Sequence, residues 1–208
     1  MSAVYDSILF DFDGVLADTE PIHWACWNEI LAPLEIKLSW ETYSANCIGV
    51  QDRDMLWFLA TQSPRAITVE SLDPFYTRKR DLFRGRVIEA NPCPPATVEF
   101  VRSLAEYRLA VVTSSGRREV EPVLERAGFL TPWSAMVFGE DVERHKPAPD
   151  PYLLAASRLG ATRPLVVEDS TSGVASARAA GFDVLRVTSS SEMPGLVSEF
   201  LTRACGRE

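Results

Sequence analysis

Two rhythms of apolar residues divide this chain. Between Pro21 and about Phe83 the apolar positions keep helical spacing, and no run alternates with the period of a strand. Trp24, Trp27, Leu31 and Leu34 form one stripe of a helix spanning Pro21 to Leu34. Ile22, Ala25, Cys26 and Ile30 widen that stripe, so this helix packs on more than one side. After a turn at Ile48 to Val50, a second helical run covers Met55 to Ala60, and a third, more polar one covers about Pro74 to Phe83. Trp24, Trp27, Trp57 and Phe58 read as the core of this helical unit rather than as a stacking platform. The proline-rich run Asn91, Pro92, Cys93, Pro94, Pro95 closes it.

Beyond that run, helices that stop at a glycine alternate with short β-branched runs. Thr97, Val101, Leu104 and Ala105 share a helical face before the strand Leu109 to Val112. Val120, Val123, Leu124 and Ala127, stopped by Gly128, precede Ala135 to Phe138. Tyr152, Ala155, Ala156 and Leu159, stopped by Gly160, precede Leu165 to Val167, with Asp150 and Pro151 as cap and first residue. Thr171 to Ala180 ends at Gly181 before Val184 to Val187. With Ser7 to Asp11 as the first strand, the pattern predicts an α/β fold: a Rossmann-like parallel five-stranded sheet with helices on both faces. An all-α unit interrupts it after strand one. Residues 1–16 and 92–208 are expected to form the α/β domain, and residues 17–91 the helical insert.

Composition narrows the partners. A net charge of -8 argues against nucleic acid or an anionic membrane, because both require a basic face. An anionic substrate then needs local compensation by a metal or a few placed cations. With 46% hydrophobic and 24% charged residues, the chain can bury an ordinary core. Cys26, Cys47, Cys93 and Cys205 form no CxxC or zinc spacing, and the N-terminus carries no cleavable apolar signal, so a monomer in a reducing cytoplasm is expected. No apolar run approaches the roughly 20 residues that span a bilayer.

In parallel sheets ligands bind beyond the carboxyl ends of the strands, so the residues that end each strand are the informative ones. Strand one ends at Asp11, with Asp13 two residues on and Gly14 after it. Two acids at one strand end repel each other unless a cation or a shared proton intervenes. Strand two ends at Thr113, Ser114 and Ser115, strand four at Glu168 and Asp169, and Lys146, in the loop after strand three, is followed by Pro147 and Pro149, which fix that loop. Asp11, Asp13 and Asp169 offer the hard oxygens that suit Mg²⁺. A hydroxyl, helix-start amides and one lysine can hold phosphate oxygens. Ser115 is equally a helix N-cap candidate.

Taken together, these strand ends resemble the haloacid dehalogenase (HAD) superfamily, in its β-phosphoglucomutase/phosphoglycolate-phosphatase-like branch with a small helical cap. The resemblance rests on Asp11-Phe12-Asp13-Gly14-Val15 with Asp18-Thr19-Glu20, on Val111-Val112-Thr113, on Lys146 to Tyr152 (KPAPDPY) and on Val167-Glu168-Asp169-Ser170, in order along nearly the whole chain. It implies a Mg²⁺-dependent phosphatase acting on a small phosphorylated metabolite, a sugar phosphate, with a β-phosphoglucomutase-like phosphomutase as the alternative and a non-catalytic binding protein as a third reading. Asp11 would be the nucleophile that forms an aspartyl-phosphate and Asp13 the general acid and base. The metal would be held by the Asp11 side chain, the Asp13 main-chain carbonyl and Asp169, with Glu168 as ligand or support. Thr113, Ser114 and Lys146 would bind phosphate. His23 resembles a substrate-facing histidine of sugar-phosphate members. Arg53 and Lys79, the latter within the basic run Arg78-Lys79-Arg80, are candidate substrate contacts from the insert, and His145 is expected at the surface. Ala17 and Asp18 are the expected hinge.

Overall fold

The computed structural model describes residues 4–48, 50 and 52–205; the side chains of residues 52 and 53 lie outside that description. The chain opens with β1 (Ser7–Phe10), followed by α1 (Glu20–Leu31), α2 (Trp40–Asn46), α3 (Asp52–Thr61) and α4 (Asp73–Ala90). Then come α5 (Pro95–Ser103), β2 (Arg108–Val112), α6 (Arg117–Arg126), β3 (Ala135–Val137), α7 (Asp150–Leu159), β4 (Pro164–Glu168), α8 (Thr171–Ala179), β5 (Asp183–Arg186) and α9 (Met193–Cys205). All five strands are parallel, in the order β3-β2-β1-β4-β5, so β1 is central and the order reverses beside it.

β1 is fully buried because both faces of the sheet are covered. Successive side chains point to opposite faces. Ile8 and Phe10 join a cluster with Val111, Val167, Val120 and Val197. Leu9 joins Ala110, Val112 and Val166 against Tyr152 and Ala155. The insert has a separate core built on Trp27, Leu31, Leu38, Tyr43, Leu56 and Leu72. Asp18 N–H donates to Pro92 O at 3.0 Å, tying together the two connections between insert and sheet.

All five expected strands form, with ends displaced by a residue or so. The helices depart further. α1 stops at Leu31 and gives way to a 3-10 turn at Ala32–Leu34, because Pro33 has no N–H to continue the ladder. α4 runs seven residues past Phe83. Its polar outer face hides a spaced pair, Phe83 and Val87, that packs on the sheet's cluster rather than the insert's. α2, capped by Ser39 Oγ accepting from Thr42 N at 3.1 Å, and α9 add to the expected helices; α9 keeps helical spacing at Met193, Leu196, Val197, Phe200 and Leu201. Among the four aromatics assigned to the insert core, Trp27 is fully buried, Trp24 and Phe58 are partly buried, and Trp57 is 69% exposed. Trp57 lies on the outer side of α3, a correction to its expected place. No described helix is long and apolar enough to cross a membrane.

α8 approaches the end of β4 so closely that a Cβ on Gly173 would lie 1.6 Å from Glu168 Oε1 and 1.9 Å from its Cδ. That carboxylate is buried and tied to five donors (see below), so it cannot swing aside cheaply. Gly173→Ala is therefore expected to cost about 2 kcal/mol or more in urea unfolding, as overpacking against a fixed group does. A change within error of the native protein would show that Glu168 is free to move.

Candidate active site

Asp11 is placed by the sheet itself: its N–H donates to Val167 O at 3.0 Å, extending the β1–β4 ladder one residue past the strand. The chain then turns at Gly14, whose φ of +79° is open to glycine and strained for other residues. A Cβ there would also lie 2.1 Å from Asp169 Oδ2, so the missing side chain is what lets the acids of β1 and β4 meet.

Lys146 fills the space between them. Its Nζ donates to Asp11 Oδ1 at 2.5 Å, to Glu168 Oε1 at 2.7 Å and to Val112 O at 3.0 Å, and all four groups are buried. The Glu168 carboxylate is spoken for on both oxygens. Oε1 also accepts from Tyr152 Oη at 2.8 Å, and Oε2 accepts from Asp169 N, Ser170 N and Ser170 Oγ, each at 3.0 Å. Glu168 thus holds the lysine and the β4–α8 turn in place, which favours support over direct ligation. Carboxylate oxygens of Asp11, Glu168 and Asp169 lie within 4.8 Å of one another. One ammonium faces three carboxylates, leaving an excess of negative charge that a divalent cation would neutralise. Burial pushes the Asp11 carboxyl well above the usual range, and Glu168, Asp169 and Asp13 add to the effect against the pull of Lys146. Burial and the charges of Glu168 and Glu20 likewise raise Asp169 to about 7. The hard-oxygen donor set, the charge deficit and the Gly14 cradle all fit a small cation such as Mg²⁺.

Asp13 is held quite differently. Its side chain is absent from the acidic cluster, so of the expected metal contacts of this residue only the main-chain carbonyl remains. The carboxylate accepts from Thr19 Oγ1, from Ser115 Oγ at 2.8 Å and from Thr113 Oγ1 at 3.3 Å, and His23 Nε2 stands 3.8 Å from Oδ1. Burial would raise its pKa, but the His23 contact, by hydrogen bonding and charge, and the Thr19 and Ser115 hydroxyls outweigh it and hold Asp13 down at about 2. His23 is in turn oriented by Lys79, whose Nζ lies 2.6 Å from Nδ1. His23 stacks on Phe83 with ring centroids 3.8 Å apart, and Lys79, fully buried, lies over Trp27 and Phe83.

This arrangement redistributes several expected roles. Thr113 and Ser115 both serve Asp13 through their hydroxyls; the N-cap of α6 is Gly116, and the Glu140 carboxylate accepts the Arg117 N–H at 3.1 Å in place of a capping side chain. Ser114 lines a cavity of about 470 Å³ together with Asp11, Asp13, Asp169 and Lys146. Lys79 reaches the site only through His23, with no place among the cavity-lining residues, whereas its neighbour Arg80 does line it and Arg78 is exposed. The Arg53 side chain lies outside the described residues. His145, expected at the surface, also lines the cavity, with a buried Nδ1 that has no hydrogen-bond partner. Glu20, the last residue of the Asp18-Thr19-Glu20 motif, also lines it, with Tyr43 and Glu119, which no local motif announces; Glu20 accepts from Tyr43 Oη at 2.6 Å.

A family profile described as haloacid dehalogenase-like hydrolase matches residues 8–187. Fructose-1-phosphate phosphatase YqaB of Escherichia coli is 32% identical over 88% of this chain and 96% of its own length. A phosphorylated-carbohydrates phosphatase of Thermotoga maritima is 34% identical over 86% of this chain and 82% of its own. The crystal structure of β-phosphoglucomutase from Clostridium difficile superposes with a TM-score of 0.78 over 97% of this chain and 99% of that one, at 17% identity, a likeness of fold alone.

Because Asp169 is raised to about 7, a cation entering beside it must displace a proton at any lower pH. With Asp11 also raised, apparent Mg²⁺ affinity should rise with pH through about 7, and calorimetry in buffers of different ionisation enthalpy should register proton release at about pH 6. Affinity independent of pH across this range would contradict the assignment.

Proposed function

The chain belongs to the haloacid dehalogenase-like hydrolase family, and from that premise we propose that it is a Mg²⁺-dependent phosphatase of small sugar phosphates working through an aspartyl-phosphate on Asp11. The observation that carries this proposal is the contrast between two acids on one loop: Asp11 sits against Lys146 in the acidic cluster, while Asp13 sits among hydroxyls and His23. In this reading residues 1–16 and 92–208 act as the catalytic core and 17–91 as a cap over it, in a cytoplasmic monomer.

In the first step an Asp11 carboxylate oxygen attacks phosphorus as the ester oxygen leaves with the electron pair of the P–O bond. Asp13, ionised in the arrangement described above, takes up a proton from solvent as the substrate enters and gives it to that oxygen. In the second step Asp13 takes a proton from water, whose oxygen attacks phosphorus, and the Asp11 carboxylate is released with inorganic phosphate. Help of this kind is worth on the order of 10² to 10⁴ in rate. Lys146 and Ser114 hold phosphoryl oxygens. Asp11, Asp169 and the Asp13 carbonyl would hold Mg²⁺, which supplies positive charge to the transferring phosphoryl group. Thr19, Thr113, Ser115 and the Lys79–His23 pair fix where Asp13 points. The hydroxyls can also accept, so they accommodate Asp13 in either protonation state.

The sugar-phosphate class is supported by the names of the two sequence relatives, a fructose-1-phosphate phosphatase and a phosphorylated-carbohydrates phosphatase, and by a lining that mixes Glu20, Tyr43 and Arg80 with a single lysine. Asp11→Asn is expected to abolish Mg²⁺-dependent phosphate release from p-nitrophenyl phosphate and from hexose 1-phosphates, and chelation with EDTA should do the same reversibly. Undiminished turnover in Asp11→Asn would remove the nucleophile assignment. With β-glucose 1-phosphate, glucose 6-phosphate forming faster than phosphate is released would make the protein a phosphomutase instead.

A further inference from the structure

Two consecutive residues of α4 point to different partners, one within the insert and one across its boundary with the sheet. Lys79 meets His23 and through it Asp13. Arg80 meets Glu119, in the first turn of α6 on the sheet side, with Nε 3.3 Å from Oε1. Glu119 is unusual for a helix-surface acid: its side chain is 8% exposed, and no hydrogen bond reaches Oε1. Arg80 is therefore its one ionic partner among the described residues, and the contact has ion-pair distance without hydrogen-bond geometry. Arg80 also lies over the Tyr76 ring at 5.6 Å, and all three residues line the cavity that contains Asp11.

A buried carboxylate left without its cation is costly, whereas the same group in water costs nothing. The pair is thus tolerated in two situations only: both partners together with the insert seated, or both hydrated with the insert lifted. We propose that Arg80 and Glu119 form an electrostatic latch that holds the insert seated over the cavity. Both are positioning residues. The proposal deepens the phosphatase reading and rests on it for its kinetic consequence, but not for its structural one. The hinge it acts about is the pair of connections joined by the Asp18 N–H to Pro92 O bond.

The test combines kinetics with hydrogen exchange at the Asp18 amide in the full-length protein with Mg²⁺ and inorganic phosphate. Arg80→Gln and Glu119→Gln should each lower kcat/KM for the best hexose phosphate on the order of tenfold, mainly through KM, and speed Asp18 exchange. The double Gln variant should be no worse than either single, and the reversed pair Arg80→Glu with Glu119→Arg should recover most of both readouts. Far-ultraviolet circular dichroism confirms that each variant is folded. Native exchange and KM in the single variants would overturn the latch, as would losses that multiply in the double variant. If the native protein hydrolyses no phosphate ester yet the single variants speed exchange and the reversed pair restores it, the phosphatase reading falls and the latch stands.

Discussion

The structure depends on one buried ammonium. Lys146 stands between the ends of β1 and β4 and bonds to Asp11, Glu168 and the last carbonyl of β2 at once. Remove its charge and three carboxylates face each other with no cation from the protein. Both glycines that a methyl group would disable, Gly14 and Gly173, are where backbone passes against this cluster, on opposite sides of it. The central sheet, the tight turn after β1 and the start of α8 are thus arranged to bring like charges together and to compensate them incompletely. That residue of negative charge is the feature that fits a divalent metal.

Asp13 shows the complementary design. It lies two residues away, yet hydroxyls from the end of β2 and the start of α1 surround it, along with an imidazole steered by a buried lysine of α4. Three of the groups around it, Thr19, His23 and Lys79, come from the helical insert or its lead-in. Asp13 therefore sits at the seam between the two parts of the molecule, and its environment changes if that seam opens.

The fold was largely legible because glycine-stopped helices and short β-branched runs alternate so regularly. The charged residues at strand ends were legible too, since Asp11, Lys146 and Asp169 are fixed by the sheet's topology alone. What sequence could not reveal are contacts made across the seam. Arg78, Lys79 and Arg80 look like one basic cluster, yet helical rotation sends them respectively to water, into the core beside His23 and against Glu119. His145 and Glu119 sit on segments whose local pattern reads as surface; His145 reaches the cavity beside Lys146, and Glu119 from the first turn of α6. Ser115 looked like a helix cap because the carboxylate that does that work, Glu140, comes from a turn 23 residues away.

The central claim is that phosphorus is transferred to Asp11 and to no other side chain. Quenching the enzyme during turnover and reducing with borohydride converts an acyl phosphate on aspartate to homoserine, which peptide mass spectrometry locates by residue. The account predicts homoserine at position 11, formed only with substrate and Mg²⁺ present. Steady release of phosphate with no modification at Asp11, or modification at Asp13 or Asp169 instead, would contradict it.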